Sequence, residues 1–285
     1  MERSRVLKEF LCASEYFDPE QTLACGQTFR FERCGGGYFV VSADRACLVW
    51  REGNETHVRC EGRDEEYFHD YFDLGRDYAA VVSRAVRRGI PVLAAAAEAG
   101  KGIRMLRQDP EEMIFTAILT QNNHIPRIRA IVARLSESLG EARDFSGIRY
   151  HSFPKAADLA QKDEAFFRAA GAGYRAAYLA ETARAVARDG VERLFPLKTE
   201  DLRRELVKYK GIGEKVADCI ALFGFARGDA FPVDTWIEKV YREDFGGSLT
   251  DRHKIAEYFR GEFGEDGGIV QQYLFHYKRN GPSAK

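Results

Sequence analysis

Lys215 follows the turn Lys210-Gly211-Ile212-Gly213 and opens a helical pattern, while Asp234 closes the loop Phe231-Pro232-Val233 that comes after it. An amine and a carboxylate brought to one place can perform covalent chemistry at carbon: the nitrogen attacks, and the carboxylate stabilises positive charge as it develops. The difficulty is protonation. At a reference pKa of about 10.4, only about one lysine in a few thousand is neutral at pH 7. A lysine in the first turn of a helix faces the positive end of the dipole, so Lys215 is expected to have a lowered pKa, and burial would lower it further. Cys219 shares its helix face one turn along. Asp234 precedes Trp236, Ile237 and Val240 at helical spacing, so it also occupies an N-cap position. An aspartate can cap a helix and face a substrate at once.

The stretch that must position these groups is itself a hairpin. It reads as a helix ending at Tyr209, a tight turn, and a second helix from Glu214 to about Phe225. Gly211 and Gly213 are expected to allow positive φ and close approach of another molecule. The unpaired amides that start the second helix suit a phosphate.

This hairpin, followed by a lysine and then an aspartate, resembles the helix-hairpin-helix DNA glycosylases. Lys215-Val216-Ala217-Asp218-Cys219 and Phe231-Pro232-Val233-Asp234 resemble their 8-oxoguanine DNA glycosylase branch. Other stretches extend the resemblance from about Cys25 to Tyr277. Cys25-Gly26-Gln27-Thr28-Phe29-Arg30 is similar to an element whose glycine carbonyl accepts the extra N7–H of the oxidised base. Ile103–Pro110 matches a further segment. In Thr120–Arg127, the resemblance implies that Asn122 fills the hole left by an extruded base and that Arg127 reads the orphaned cytosine through paired donors. In Gly173-Tyr174-Arg175-Ala176 it implies that Tyr174 wedges beside that cytosine and Arg175 bonds it. From Gly268 to Phe275 it implies a lesion pocket, with Gln271 on the Watson–Crick edge, Phe275 on one face of the base and Cys219 on the other. Gly211, Gly213 and Val216 would hold phosphate through backbone amides.

The resemblance implies a bifunctional glycosylase/lyase that extrudes 8-oxoguanine paired with cytosine, attacks C1′ with Lys215 to form a Schiff base, and cleaves the strand by β-elimination. The partner is damaged double-stranded DNA, and the protein is expected to act as a monomer. No cofactor is required, although a monovalent or calcium ion at the hairpin carbonyls is compatible with the motif. Two alternatives stay open: a non-catalytic DNA-binding hairpin, and a glycosylase for another damaged purine. Two departures stand out. Lys210 replaces a frequent proline before the hairpin, and Trp236 stands where many eukaryotic members have histidine.

Composition narrows the field. With 285 residues, 45% of them hydrophobic, the chain can bury a sizeable core. A net charge of -1 supplies no global attraction to DNA, so affinity must come from local patches. Six cysteines without a C-x-x-C pair argue against zinc and against an iron–sulfur cluster. The charged N-terminus is unlike a signal peptide, and no apolar run reaches membrane-spanning length, so an intracellular protein that does not engage membranes is expected.

The expected fold class is α+β. Residues 1–99 would form an N-terminal antiparallel sheet with helices, and 100–285 an all-helical domain containing the hairpin (199–225) and a last helix that closes the pocket. Strands are expected at Tyr38–Ser42, Arg45–Trp50 and Thr56–Cys60. The aromatic stripe Tyr67, Phe68, Tyr71 and Phe72 should be core, and the tail from Asn280 is expected to be disordered.

Overall fold

The computed structural model describes residues 6–281. A five-stranded antiparallel sheet forms first, from β1 (Leu7–Ala13), β2 (Phe31–Cys34), β3 (Gly37–Ser42), β4 (Arg45–Glu52) and β5 (Glu55–Glu61), in the order β1-β5-β4-β3-β2. Between β1 and β2 lies the short helix α1 (Pro19–Ala24), capped by Asp18, whose Oδ1 accepts from the Gln21 amide at 2.8 Å. The three expected strands are present. β1 has no counterpart among the expectations, because apolar Leu7 and Leu11 lie on its exposed side and blur the alternation. Val40, Val49 and Val58 line the inner face and are wholly buried against Phe68, Tyr71 and Phe72 of the aromatic stripe. Each such side chain contributes about 1.5–3 kcal/mol of burial free energy.

Helices α2 (Glu65–Tyr71), α3 (Tyr78–Val86), α4 (Pro91–Gly100), α5 (Pro110–Thr120) and α6 (Ile125–Leu139) follow. After them the chain makes a hairpin, β6 (Ala142–Phe145) and β7 (Ile148–His151), in a region expected to be helical. Its turn, Ser146-Gly147, has positive φ at both residues, as a two-residue hairpin demands. Phe145 then packs on Phe39 of β3, covering part of the outer sheet face. The remaining helices are α7 (Ala156–Ala160), α8 (Glu164–Ala169), α9 (Arg175–Asp189), α10 (Thr199–Leu206), α11 (Glu214–Gly224), α12 (Thr235–Glu243), α13 (Arg252–Phe263) and α14 (Gly267–Asn280). Of the tail expected to be disordered, Asn280 is therefore helical and Gly281 caps the helix, while 282–285 lie outside the described residues. Among the described residues no helix is long and apolar enough to cross a membrane.

The stretch between α4 and α5 sews the sheet to the helices. The Gly102 carbonyl accepts from the Asp18 amide, the Arg107 amide donates to Tyr71 O, and the Gln108 amide donates to Phe223 O on α11. The helices α3 and α4 join the helical core, and α4 packs along α14. A β-carbon at Gly100 would stand 2.7 Å from the Tyr273 ring, so the helices approach more closely than alanine would allow.

A buried ion pair locks the same junction. Arg30 Nη1 lies 3.1 Å from Glu112 Oε2, with both side chains nearly inaccessible, and that oxygen also accepts from the Ala43 amide at 2.8 Å. Burial pushes the Glu112 carboxyl up, and the Arg30 charge opposes it. Glu112→Ala strands a buried guanidinium and is expected to cost about 3–5 kcal/mol, read as a lowered urea midpoint. Glu112→Gln, which keeps an acceptor, should cost less.

Candidate active site

Two constraints shape the hairpin turn between α10 and α11. Gly211 has φ +81, and a β-carbon there would stand 2.5 Å from the Tyr178 ring, so only glycine fits. Gly213 corrects the sequence expectation: its φ is −93, an ordinary value, and the space beside it is open. What Gly213 supplies is an unobstructed approach. It caps α11 with no side-chain hydrogen bond, so the first-turn amides, Val216 among them, have no capping side chain and can receive an anion. The first helix ends at Leu206 rather than Tyr209.

α11 is anchored by Asp218, a role that nothing in its local sequence signals. Its buried carboxylate lies 2.5 Å from Arg203 Nε on α10 and 3.7 Å from Arg260 Nη1 on α13. Burial pushes this carboxyl up to about 6 against the pull of both guanidiniums. The cluster fixes the rotation of α11, which sets where the neighbouring Lys215 and Cys219 point.

They point into a cavity of about 660 Å³. Its walls bring together Lys215, Asp234, Gly26, Cys219, Gln271 and Phe275, the six residues expected to act on the base and the sugar. Asp234 Oδ1 accepts from the Trp236 and Ile237 amides at 2.9 and 3.0 Å, so the carboxylate caps α12 as expected. Trp236 itself borders the cavity.

The charge state of Lys215 differs from expectation. Its side chain is solvent-accessible although crowded by the cavity walls. The ammonium is held above the ordinary lysine value, first by the Cys219 sulfur and also by the Asp234 carboxylate, which outweigh burial. Burial in turn pushes the Cys219 thiol up. In the free protein the amine therefore rests as a cation, contrary to the lowered pKa expected from the sequence, because these neighbours outweigh burial.

The base side of the cavity is rigid. Gln27 Nε2 donates to Arg104 O at 2.8 Å, and its Oε1 accepts from the Leu106 amide at 2.9 Å. Gln108 Nε2 donates back to Gln27 O at 2.9 Å. These bonds hold Gly26 at φ +100, a conformation that L side chains rarely adopt. The Gly-Gln pair thus has a mechanical reason: glutamine pins what glycine presents. Gln271 is buried; its Nε2 donates to Pro232 O at 3.1 Å, and its Oε1 has no hydrogen-bond partner. Because a carbonyl can only accept, the amide orientation is set, and the atom left without a partner on this cavity-lining residue is an acceptor.

A second group of residues gathers where the α5–α6 loop meets the turn before α9. Asn122 is exposed with φ +49, Arg127 is exposed with Nη2 donating to Gly171 O at 3.1 Å, and the half-exposed Tyr174 ring meets Tyr178 edge to face. Arg175 departs from its expected placement. It is buried, and its guanidinium donates to Gln121 O and Asn122 O, so in the free protein it shapes the loop rather than facing outward. The ring of Tyr174 lies against it. Among the described residues no group of three or more histidine, cysteine and carboxylate side chains could hold a metal ion.

A helix-hairpin-helix followed by a capping aspartate, with the lysine and the aspartate on the wall of one cavity, defines a class of base-excising DNA repair protein. Residues 115–263 match the model of the HhH-GPD superfamily of base excision DNA repair proteins, and residues 9–114 match that of the 8-oxoguanine DNA glycosylase N-terminal domain. The chain belongs to the 8-oxoguanine DNA glycosylase family within that superfamily. It is 31% identical to the N-glycosylase/DNA lyase of Arabidopsis thaliana, over 89% of this chain and 75% of that protein. It is 32% identical to a probable N-glycosylase/DNA lyase of Methanothermobacter thermautotrophicus, over 64% of this chain and 65% of that one. With the Saccharomyces cerevisiae N-glycosylase/DNA lyase, the match spans 44% of the relative's length. Among solved structures, the Clostridium acetobutylicum 8-oxoguanine glycosylase/lyase, bound to double-stranded DNA with cytosine opposite the lesion, superposes with a TM-score of 0.87 at 32% identity, over 96% of this chain and 97% of that one.

Proposed function

We propose that this protein is a DNA glycosylase with lyase activity that removes 8-oxoguanine paired with cytosine. The observation that carries the lesion assignment is the free Gln271 Oε1. An acceptor meets the N1–H and exocyclic amine of a guanine-type edge; it would oppose the unprotonated N1 of an adenine-type edge. Gly26, held rigid beside the same cavity, supports the second half of the reading: its carbonyl would accept N7–H, which guanine lacks. Family membership favours the same lesion.

The duplex hides C1′, so the nucleotide must first rotate into the cavity, where Phe275 and Cys219 would cover the two faces of its base. Asn122 and Tyr174 would occupy the space it leaves, and Arg127 would give donors to the cytosine. Arg175 would have to release Gln121 O to join them. The amides of Gly211, Gly213 and Val216 would receive phosphate. A base filling the cavity displaces water around Lys215 and strengthens the desolvation that favours a neutral amine. Lys215 then attacks C1′ while Asp234 stabilises the charge on the sugar, and the resulting Schiff base permits β-elimination. A monovalent or calcium ion at the hairpin carbonyls also belongs to this reading. Lys210 O and Gly211 O each accept one side-chain hydrogen bond and keep a second lone pair for a cation. The chemistry above does not use it.

Single-turnover excision from duplexes carrying 8-oxoguanine or another damaged purine opposite each base tests the assignment. Wild-type protein should prefer 8-oxoguanine with cytosine, and Gln271→Ala should slow its release by about 10-fold or more, the scale of one lost hydrogen bond to a buried edge. Equal release of adenine-type lesions by the wild type would contradict it. Because Lys215 rests as a cation, the rate of base release should climb with pH between about 6 and 9. A flat profile would mean that amine deprotonation does not limit the step.

A further inference from the structure

One cation at the cavity rim has no part in the mechanism above. Arg279 lies on α14 one turn after Phe275, with its guanidinium carbon 5.6 Å from the centre of that ring. Its Nη1 is 3.8 Å from where a Gly26 β-carbon would stand. The side chain is exposed and borders the cavity, and among the described residues no carboxylate pairs with it. Its neighbour Lys278 is placed differently, tied to Asp244 at 2.8 Å and Glu243 at 3.0 Å. A guanidinium left unneutralised, resting on two residues assigned to the base, has donors to give to a ligand.

We propose that Arg279 is a catalytic residue that donates to the C8 carbonyl oxygen of the extruded 8-oxoguanine and stabilises the base as it leaves. The proposal rests on the functional reading given above. If the Gly26 carbonyl accepts N7–H, the adjacent O8 lies on the Gly26 side of the purine, which is where Arg279 stands. Arg279 borders the same cavity as Gly26, Gln271 and Phe275, the residues assigned to the base, so the edge of a base lodged there comes within its reach.

The electron accounting gives the contact a role beyond recognition. The Lys215 lone pair forms the bond to C1′, the C1′–N9 bond breaks, and its electron pair stays on the base. N9 is conjugated with the C8 carbonyl, so the negative charge reaches O8, where a fixed guanidinium is worth more than in the ground state. The departing anion takes its proton from water, and that water regains one from the secondary ammonium formed at Lys215. Guanine has no O8 and gains nothing from this contact.

The test compares wild type, Arg279→Ala and Arg279→Lys on two duplexes under single-turnover conditions with saturating enzyme. One duplex carries 8-oxoguanine opposite cytosine, and the other an abasic site, which has no base to read. Arg279→Ala should release 8-oxoguanine about 10²-fold more slowly, and Arg279→Lys should recover part of that loss. Both variants should keep most of their strand cleavage at the abasic site. Three results would overturn the proposal: equal losses on the two duplexes, unchanged base release, or weaker DNA binding with a wild-type rate at saturation. Wild-type protein that cleaves abasic DNA yet leaves 8-oxoguanine in place would refute the lesion assignment itself, a separate outcome.

Discussion

Lys215→Gln should bind lesion-bearing DNA and leave it intact. The substitution removes the nucleophile while keeping a straight side chain of similar helix propensity, and the Asp218 cluster that orients α11 is untouched. Folding stability should therefore stay close to wild type. Base release should fall by about 10⁴-fold or more, the scale on which covalent enzymes respond to losing their nucleophile, and strand cleavage at abasic sites should fall with it. A gel assay under single-turnover conditions, paired with a binding titration, separates the two effects. Release at the wild-type rate would mean that water attacks C1′ and that the protein is a purely hydrolytic glycosylase.

Asp234→Asn should separate the two roles of that residue. Asparagine caps helices as well as aspartate does, so its side-chain oxygen can still accept from the Trp236 and Ile237 amides, and the unfolding midpoint should barely move. The negative charge facing Lys215 and the sugar is gone, so base release should drop by about 10²–10³-fold. The same change removes one of the charges that hold the Lys215 ammonium up, so the rising limb of the pH profile should move to lower pH. An Asn variant with full activity would reduce Asp234 to a helix cap.

Much of this site can be read from the chain because its parts obey local rules. Gly211, Lys215 and Cys219 sit on one hairpin, Gln271 and Phe275 lie one turn apart on one helix, and Asp234 has the neighbours of an N-cap. What escaped the sequence depends on partners far along the chain. The role of Gln27 is visible only when residues 104–106 run beside it, and that of Asp218 only when α10 and α13 close around it. The resting charge of Lys215 is a sum of neighbours, Cys219 and Asp234 against burial, whose outcome a helix-dipole argument cannot supply. The buried placement of Arg175 follows from the path of the Gln121–Asn122 loop, which no periodicity encodes. The β6–β7 hairpin, in contrast, carried a signal in its Ser146-Gly147 turn that the surrounding helical pattern hid.

The central claim is that the nitrogen of Lys215 becomes bonded to C1′ of the damaged nucleotide. Incubating wild-type protein with a duplex bearing 8-oxoguanine opposite cytosine, in the presence of borohydride, reduces any such imine to a stable link, and peptide mass mapping then locates it. The account predicts a deoxyribose remnant on the peptide that contains Lys215. A remnant on another lysine such as Lys210 or Lys239, or no cross-link while 8-oxoguanine is released, would contradict it.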